Sequence, residues 1–168
     1  MTNGLAPYLL DEERRTGTYV ACHYTPESCQ LLADWAESIK VPKPLAKNKF
    51  HTTILYSRTE LKGVSGILEK NPGWFFAPKK LELFDPRTKE ETTKALVFVM
   101  EAPELVSLHG SLLAAGGSHD HDGYHPHITL SYAVPPDFNI AGIEMPDIKL
   151  EVSDVYAEPL DLNWSKKK

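Results

Sequence analysis

Hydrophobic and polar positions along the chain fall into a small number of patterns. Residues 17–24, Gly-Thr-Tyr-Val-Ala-Cys-His-Tyr, are rich in aromatic and β-branched types and predict a strand. Thr25-Pro26 then supplies an N-cap and a first helical residue. Leu31, Leu32, Trp35, Ala36 and Ile39 recur at helical spacing, so 26–40 is expected to be a helix with one buried stripe. Pro42 and Pro44 stop it. His51 to Ser57 predicts a second strand. Leu61, Val64 and Leu68 suggest a helix over 59–70, although Gly63 and Gly66 are poor helix residues. After the turn Asn71-Pro72-Gly73, residues 74–84 read as extended. Ala95 to Met100 is a continuous apolar run, the pattern of a strand buried on both faces. Pro103 opens a helix over 103–115, with Leu105, Val106, His109, Leu112 and Leu113 on one stripe, and Gly116-Gly117 ends it. A strand over 127–132, a loop over 137–147 and a strand over 150–156 that runs on toward Leu162 complete the pattern. Residues 1–16 read as a flexible lead-in holding a short helix at 8–14.

The order strand, proline-started helix, loop, strand occurs twice, and His51 and His127 are separated by an offset of 76 (127 − 51). The same offset carries Tyr19 onto Ala95, so two separate elements align without adjustment. This predicts a single domain, 1–168, of two related lobes, about 17–92 and 93–164, around a pseudo-twofold axis. The strands that begin at His51 and His127 open with His-Thr-Thr and His-Ile-Thr. On a strand, residues i and i+2 share a face, so His51 goes with Thr53 and His127 with Thr129. The pseudo-symmetry predicts that the two strands meet across one cleft. Two imidazoles and two hydroxyls there suit a phosphodiester without a metal. His-x-Ser/Thr alone is weakly specific, since seven histidines and twenty-one Ser and Thr make about one chance match. The chain has four. His23-Tyr24-Thr25 runs into a helix and His109-Gly110-Ser111 lies within one, which leaves the pair at His51 and His127.

Composition narrows the partner. The 168 residues carry a net charge of −5, which argues against long nucleic acid held by many phosphate contacts, while leaving room for a small anion in a local pocket. No apolar run approaches the roughly 20 residues of a membrane span, and two cysteines make no disulfide framework, so the cytoplasm is the expected compartment. Lys166-Lys167-Lys168 reads as a solvated basic tail. Lys43, Lys47 and Lys49 read as solvated loop lysines or a basic approach to the pocket, and Arg58 is not counted as catalytic.

The two His-x-Thr strands, with Gly17-Thr18-Tyr19, Pro103-Glu104-Leu105 and the closing Glu158-Pro159-Leu160-Asp161-Leu162-Asn163-Trp164, resemble the 2H phosphoesterase superfamily. Within it, Leu55-Tyr56-Ser57-Arg58 and the closing stretch resemble the phage anti-CBASS nucleases, which degrade the cyclic oligonucleotide messengers of bacterial CBASS defence. The resemblance implies an α+β, two-lobed fold. Its pseudo-twofold related antiparallel sheets would line a central cleft, with helices outside. It also implies a phosphodiesterase needing no cofactor, cleaving cyclic di- or trinucleotides. His51 and His127 are then the acid–base pair, and Thr53 and Thr129 the donors to the phosphate. By the same resemblance Tyr19, Glu158 and Trp164 contact the substrate. Which histidine is base and which acid stays open at this stage.

Three other readings compete. His119, His121, His125 and His127, with Asp120 and Asp122 between them, form a metal-rich loop within nine residues, though without a closed ligand geometry. A two-lobed protein can also sequester a cyclic nucleotide uncut, but binding alone needs no paired acid and base. The same chemistry also suits 2′,3′-cyclic phosphates at RNA ends.

Overall fold

A computed structural model describes residues 16–85, 92–118 and 123–161. The described elements are β1 (Thr16–Tyr24), α1 (Pro26–Ser38), a 3₁₀ turn (Lys47–Lys49), β2 (His51–Ser57), β3 (Gly66–Lys70), β4 (Phe75–Phe84), β5 (Lys94–Glu101), α2 (Pro103–Ala114), β6 (His127–Val134) and β7 (Leu150–Asp161). The lead-in with its expected helix at 8–14 and the C-terminal tail lie outside the described residues.

All strand pairings are antiparallel, in the order β2-β1-β7-β4-β5-β6, with β3 also on β7. The halves are interlaced. β4, from the first half of the chain, pairs with β5 of the second, while β7, from the second, pairs with β1 and β3 of the first. The strand order therefore runs from β2 at one end to β6 at the other, yet these end strands touch. Both helices pack on the side away from the cleft. Leu32 and Ala36 of α1 and Leu105 and Leu112 of α2 join one core with Val20, Ile54, Phe98 and Ile128 of the strands.

Local signals explain most boundaries. The Thr25 side chain accepts a hydrogen bond from the Ser28 N–H at 3.2 Å and caps α1. β5 is buried from Leu96 to Met100, as its apolar run predicts, because β4 and β6 flank it. Gly17 approaches the neighbouring strand so closely that a Cβ there would lie 1.8 Å from the Ser57 carbonyl oxygen. The helix expected over 59–70 is not formed. Gly63 (φ +80°) and Gly66 (φ +83°) take left-handed backbone that a helix cannot contain, and the Leu61 N–H is held by the Thr18 hydroxyl at 2.8 Å. Of the apolar residues that suggested a helix, Leu61 is buried in the core and Val64 packs against it, while Leu68 lies with Ile67 on the surface of the exposed strand β3. On α2, Val106 and Leu113 are exposed, so the buried stripe is narrower than the pattern suggested: Leu105, His109 and Leu112.

Each half carries a β-bulge at the same place. Val20 pairs with Leu55 but Ala21 with Thr53, so Ile54 is the extra residue on β2. Leu96 pairs with Ser131 but Val97 with Thr129, so Leu130 is the extra residue on β6. The 76-residue offset therefore holds in the strand register itself. A bulge reverses the facing of everything beyond it. Leu55 is thereby turned into the core, and Tyr56 and Tyr132 come onto the face of the histidines and threonines.

A bulge also leaves a carbonyl outside the ladder, and each is satisfied from the other half. The buried His109 of α2 donates through Nδ1–H to the Ile54 carbonyl at 2.7 Å. The Leu45 N–H, in the loop before β2, donates to the Leu130 carbonyl at 2.8 Å. Tyr124 stacks on His109 (centroids 4.3 Å) and donates its hydroxyl to the Thr53 carbonyl at 2.7 Å.

His109→Ala would orphan a buried carbonyl and open a cavity, and is expected to lower unfolding free energy by about 2–4 kcal/mol in urea titrations. Leu113→Ala, on the exposed side of the same helix, should cost less than about 1 kcal/mol. Equal, small effects would show that the bulge carbonyl does not depend on His109.

Candidate functional site

Strand register lays out the site in rows, because directly paired residues on adjacent strands share a face. Across β7, β1 and β2 the rows are Asp154–His23–His51, Tyr156–Ala21–Thr53 and Glu158–Tyr19–Tyr56. Across β4, β5 and β6 they are Lys80–Val99–His127 and Glu82–Val97–Thr129. The two key strands thus present His and Thr in matching positions, as the sequence predicts, with different neighbours.

The two histidines are held alike. His51 Nδ1–H donates to the Lys49 carbonyl at 2.9 Å, and His127 Nδ1–H to the His125 carbonyl at 2.9 Å. A carbonyl can only accept, so each bond fixes the proton on Nδ1 and leaves Nε2 available as the reactive nitrogen. The rings are close enough for the charge of one to oppose protonation of the other.

Their surroundings differ. His127 lies beside Val99 and against the edge of Phe84, with ring centroids 5.0 Å apart. Burial, more than any other influence, pushes its pKa below the ordinary 6.5. The charge of His51 acts in the same direction, while the His125 carbonyl and Glu82 oppose it. Glu82 is itself tied to Lys80 at 2.6 Å. His51 has polar neighbours instead, His23 and Asp154 along its row.

The threonines differ too. The Tyr19 hydroxyl lies 2.8 Å from Thr53 Oγ1. Burial raises the Tyr19 pKa, so the phenol keeps its proton and can donate to Thr53, aiming the Thr53 hydroxyl hydrogen away from itself. The position equivalent to Tyr19 in the other half is Ala95, and the buried Thr129 has no such side-chain partner among the described residues.

A cleft of about 430 Å³ opens beside His51, with His23, Asn48, Lys49, Tyr132 and Tyr156 on its walls. Glu158 is exposed and pairs in register with Tyr19, at the edge of the same face. Trp164 lies outside the described residues, as do His119, Asp120, His121 and Asp122. Among the described residues no group of three or more His, Cys, Asp or Glu side chains is placed to hold a metal ion. Sequence reasoning set His23 aside because its His-x-Thr runs into α1. The structure places His23 beside His51 all the same. The available signal was its spacing of four from Tyr19, which puts both on one face of β1. Tyr156 and Asp154 follow from the same alternation on β7 once its register is known.

Comparison with known proteins bears on the family and the fold. Residues 16–167 match the family model described as anti-CBASS protein Acb1. The anti-CBASS protein Acb1 of Salmonella phage S16 is 32% identical over 154 residues, covering 90% of this chain and 93% of that protein. The anti-CBASS protein Acb1 of Enterobacteria phage T4 is 33% identical over 150 residues, covering 89% and 92%. Among solved structures, apo LigT of E. coli superimposes with a TM-score of 0.53 at 16% identity, over 86% of this chain and 87% of that one, a likeness of fold. The α+β architecture is thus that of LigT, and the chain belongs to the Acb1 family of anti-CBASS proteins.

Proposed function

We propose that the protein is a metal-independent phosphodiesterase that cuts 3′–5′ bonds of cyclic di- or trinucleotide signals, acting in the cytoplasm of a phage-infected cell to blunt CBASS immunity. The matched Nδ1–H bonds to carbonyls are the observation that carries this reading. They present two Nε2 atoms of fixed tautomer beside two threonine hydroxyls, which is what an acid–base displacement at phosphorus needs. Family membership supports the substrate class.

The unequal surroundings support one assignment of roles. Burial favours the neutral form of His127, whose Nε2 lone pair takes the proton from the ribose 2′-hydroxyl. The 2′-oxygen forms a bond to phosphorus, the bond from phosphorus to the 5′-oxygen breaks, and His51, entering protonated, gives its Nε2 proton to that oxygen. Thr53 and Thr129 donate to the non-bridging oxygens as charge builds on them. The product is a linear chain ending in a 2′,3′-cyclic phosphate. In a second step the roles exchange: His51 takes a proton from water, the water oxygen bonds to phosphorus, the bond from phosphorus to the 2′-oxygen breaks, and His127 returns its proton to that oxygen, leaving a 3′-phosphate. Tyr19 positions Thr53, and Glu158 offers its carboxylate to N–H donors on a base edge.

Incubation in EDTA with a panel of cyclic oligonucleotides and 2′,3′-cyclic mononucleotides, followed by product identification, tests the activity. Cleavage of cyclic oligonucleotides undiminished by EDTA is expected. Loss in EDTA with recovery on adding zinc, or recovery of intact ligand, overturns the reading. His51→Ala and His127→Ala are each expected to lower kcat by about 10²- to 10⁴-fold. Tyr19→Phe, which removes only the bond to Thr53, is expected to cost about three- to tenfold.

The pH profile checks the roles. A base whose pKa is depressed by burial puts the acid limb of kcat/KM below pH 6.5. Phe84→Ala lets water reach His127, so its pKa rises and the limb moves up toward 6.5. NMR titration of the His127 ring should move with it. A limb that stays fixed in Phe84→Ala while the ring titration shifts would remove His127 as the base. The same depression makes folding stability fall as pH drops below 6.5, because the unfolded chain takes up the His127 proton first.

A further inference from the structure

We propose that His23, held by Asp154 and Tyr156, binds the second, uncut phosphate of a cyclic dinucleotide; this rests on the phosphodiesterase reading above. His23 and His51 are register partners on β1 and β2 and line the same cleft. The His23 ring is fixed on two sides. Its Nδ1 lies 3.2 and 3.3 Å from the two carboxylate oxygens of Asp154, and its face stacks on Tyr156 with centroids 4.3 Å apart and planes 15° from parallel. Asp154 is fixed in turn by the Ser153 hydroxyl at 3.0 Å.

This arrangement has no use in folding that would account for it. The His23 and Asp154 side chains are 44% and 22% exposed, where an ion pair adds little stability. Nor does the reaction need it, since one acid and one base suffice and His51 and His127 supply them. The equivalent position in the other half is Val99, so the feature belongs to one side of the site only. With Nδ1–H committed to a carboxylate, the ring points Nε2 outward. The carboxylate also balances the charge of a doubly protonated ring, whose Nε2–H then donates to an anionic oxygen. Lys49 stands on the wall of the same cleft and adds positive charge there. A cyclic dinucleotide carries two phosphodiesters on opposite sides of its ring. When one sits between His51 and His127, the other must leave water somewhere along the cleft, and His23 is the next polar group on that face.

The test compares substrates with two phosphates and one. For 3′,3′-cyclic GMP–AMP or cyclic di-AMP, His23→Ala should raise KM about tenfold and leave kcat within about threefold. The inhibition constant of linear ApA, which carries a single phosphate, should shift less than about threefold. His23→Lys, which restores a cation, should bring KM back to within about threefold of the wild type and also shows that loss in His23→Ala is not misfolding. Asp154→Asn should raise KM in the same direction. Equal weakening of ApA and the cyclic substrate, no change in KM, no rescue by lysine, or a hundredfold fall in kcat at constant KM would each overturn the second-phosphate site. Wild-type protein that leaves cyclic di- and trinucleotides alike intact would instead overturn the phosphodiesterase reading beneath it, and cleavage of trinucleotides alone would overturn the second-phosphate site.

Discussion

Two backbone carbonyls, those of Ile54 and Leu130, hold the site together. Each belongs to the extra residue of a β-bulge and therefore has no ladder partner. An unpaired buried carbonyl costs about 1–3 kcal/mol, so a bulge persists only where another donor reaches it. Here the donors come from the opposite half: His109 from α2 to Ile54, and the Leu45 N–H to Leu130. The bonds that make the bulges tolerable are thus the bonds that pin β2 against α2 and β6 against the loop before β2. Ser131 reinforces the second contact by donating to the Pro42 and Lys43 carbonyls at 2.6 and 3.0 Å. The end strands of an open sheet have no hydrogen-bond ladder to join them. These crossed contacts supply what the ladder does not, and they bring His51 and His127 together.

Much of this was legible, and the limits have physical causes. Strands and helices that bury one face announce themselves by periodicity, so β1, α1, β2, β5, α2, β6 and β7 follow from the pattern. The 76-residue offset is readable because both halves repeat the same strand chemistry, and it survives in the register down to Ala21 with Thr53 and Val97 with Thr129. β3 was misread because it is exposed along its length and buries no face to give it a strand period. Leu68 happened to fall at helical spacing from Leu61 and Val64 in the loop before it, and the warning was the two glycines that proved to be left-handed. The bulges were illegible for a different reason. A bulge is a relation between two strands, and nothing in His-Thr-Thr-Ile-Leu-Tyr-Ser says which residue the partner strand will skip. Without it, alternation places Leu55 on the face of His51 and Tyr56 behind it, the reverse of what the register gives. His23 was lost through motif reasoning, which asked whether its threonine continued a strand and not which residue lay across from it.

The pseudo-symmetry is strict where geometry matters and absent where charge matters. Both histidines bond a carbonyl two residues back, at the same distance, and both are followed by a threonine and, after a bulge, a tyrosine. Around them the halves diverge: Ala95 stands for Tyr19, Val99 for His23, Phe84 and Glu82 for Glu158 and Tyr156. A displacement at phosphorus needs this combination. One proton must be taken on one side of the phosphorus and another given on the opposite side, so two equivalent imidazoles must face each other across it. Yet at the start of the step one must be neutral and the other charged, and two coupled histidines in identical surroundings would hold one proton with no preference for either ring. Burial against Val99 and Phe84 favours the neutral form at His127, while His51 has the polar neighbours His23 and Asp154. Duplicated strands can supply the opposition of the two rings. Mutual repulsion can keep one ring neutral, but only divergence of the residues behind them can decide which one, which is why the informative substitutions between the halves lie on β1, β5, β4 and β7 and not in the His-x-Thr pairs themselves.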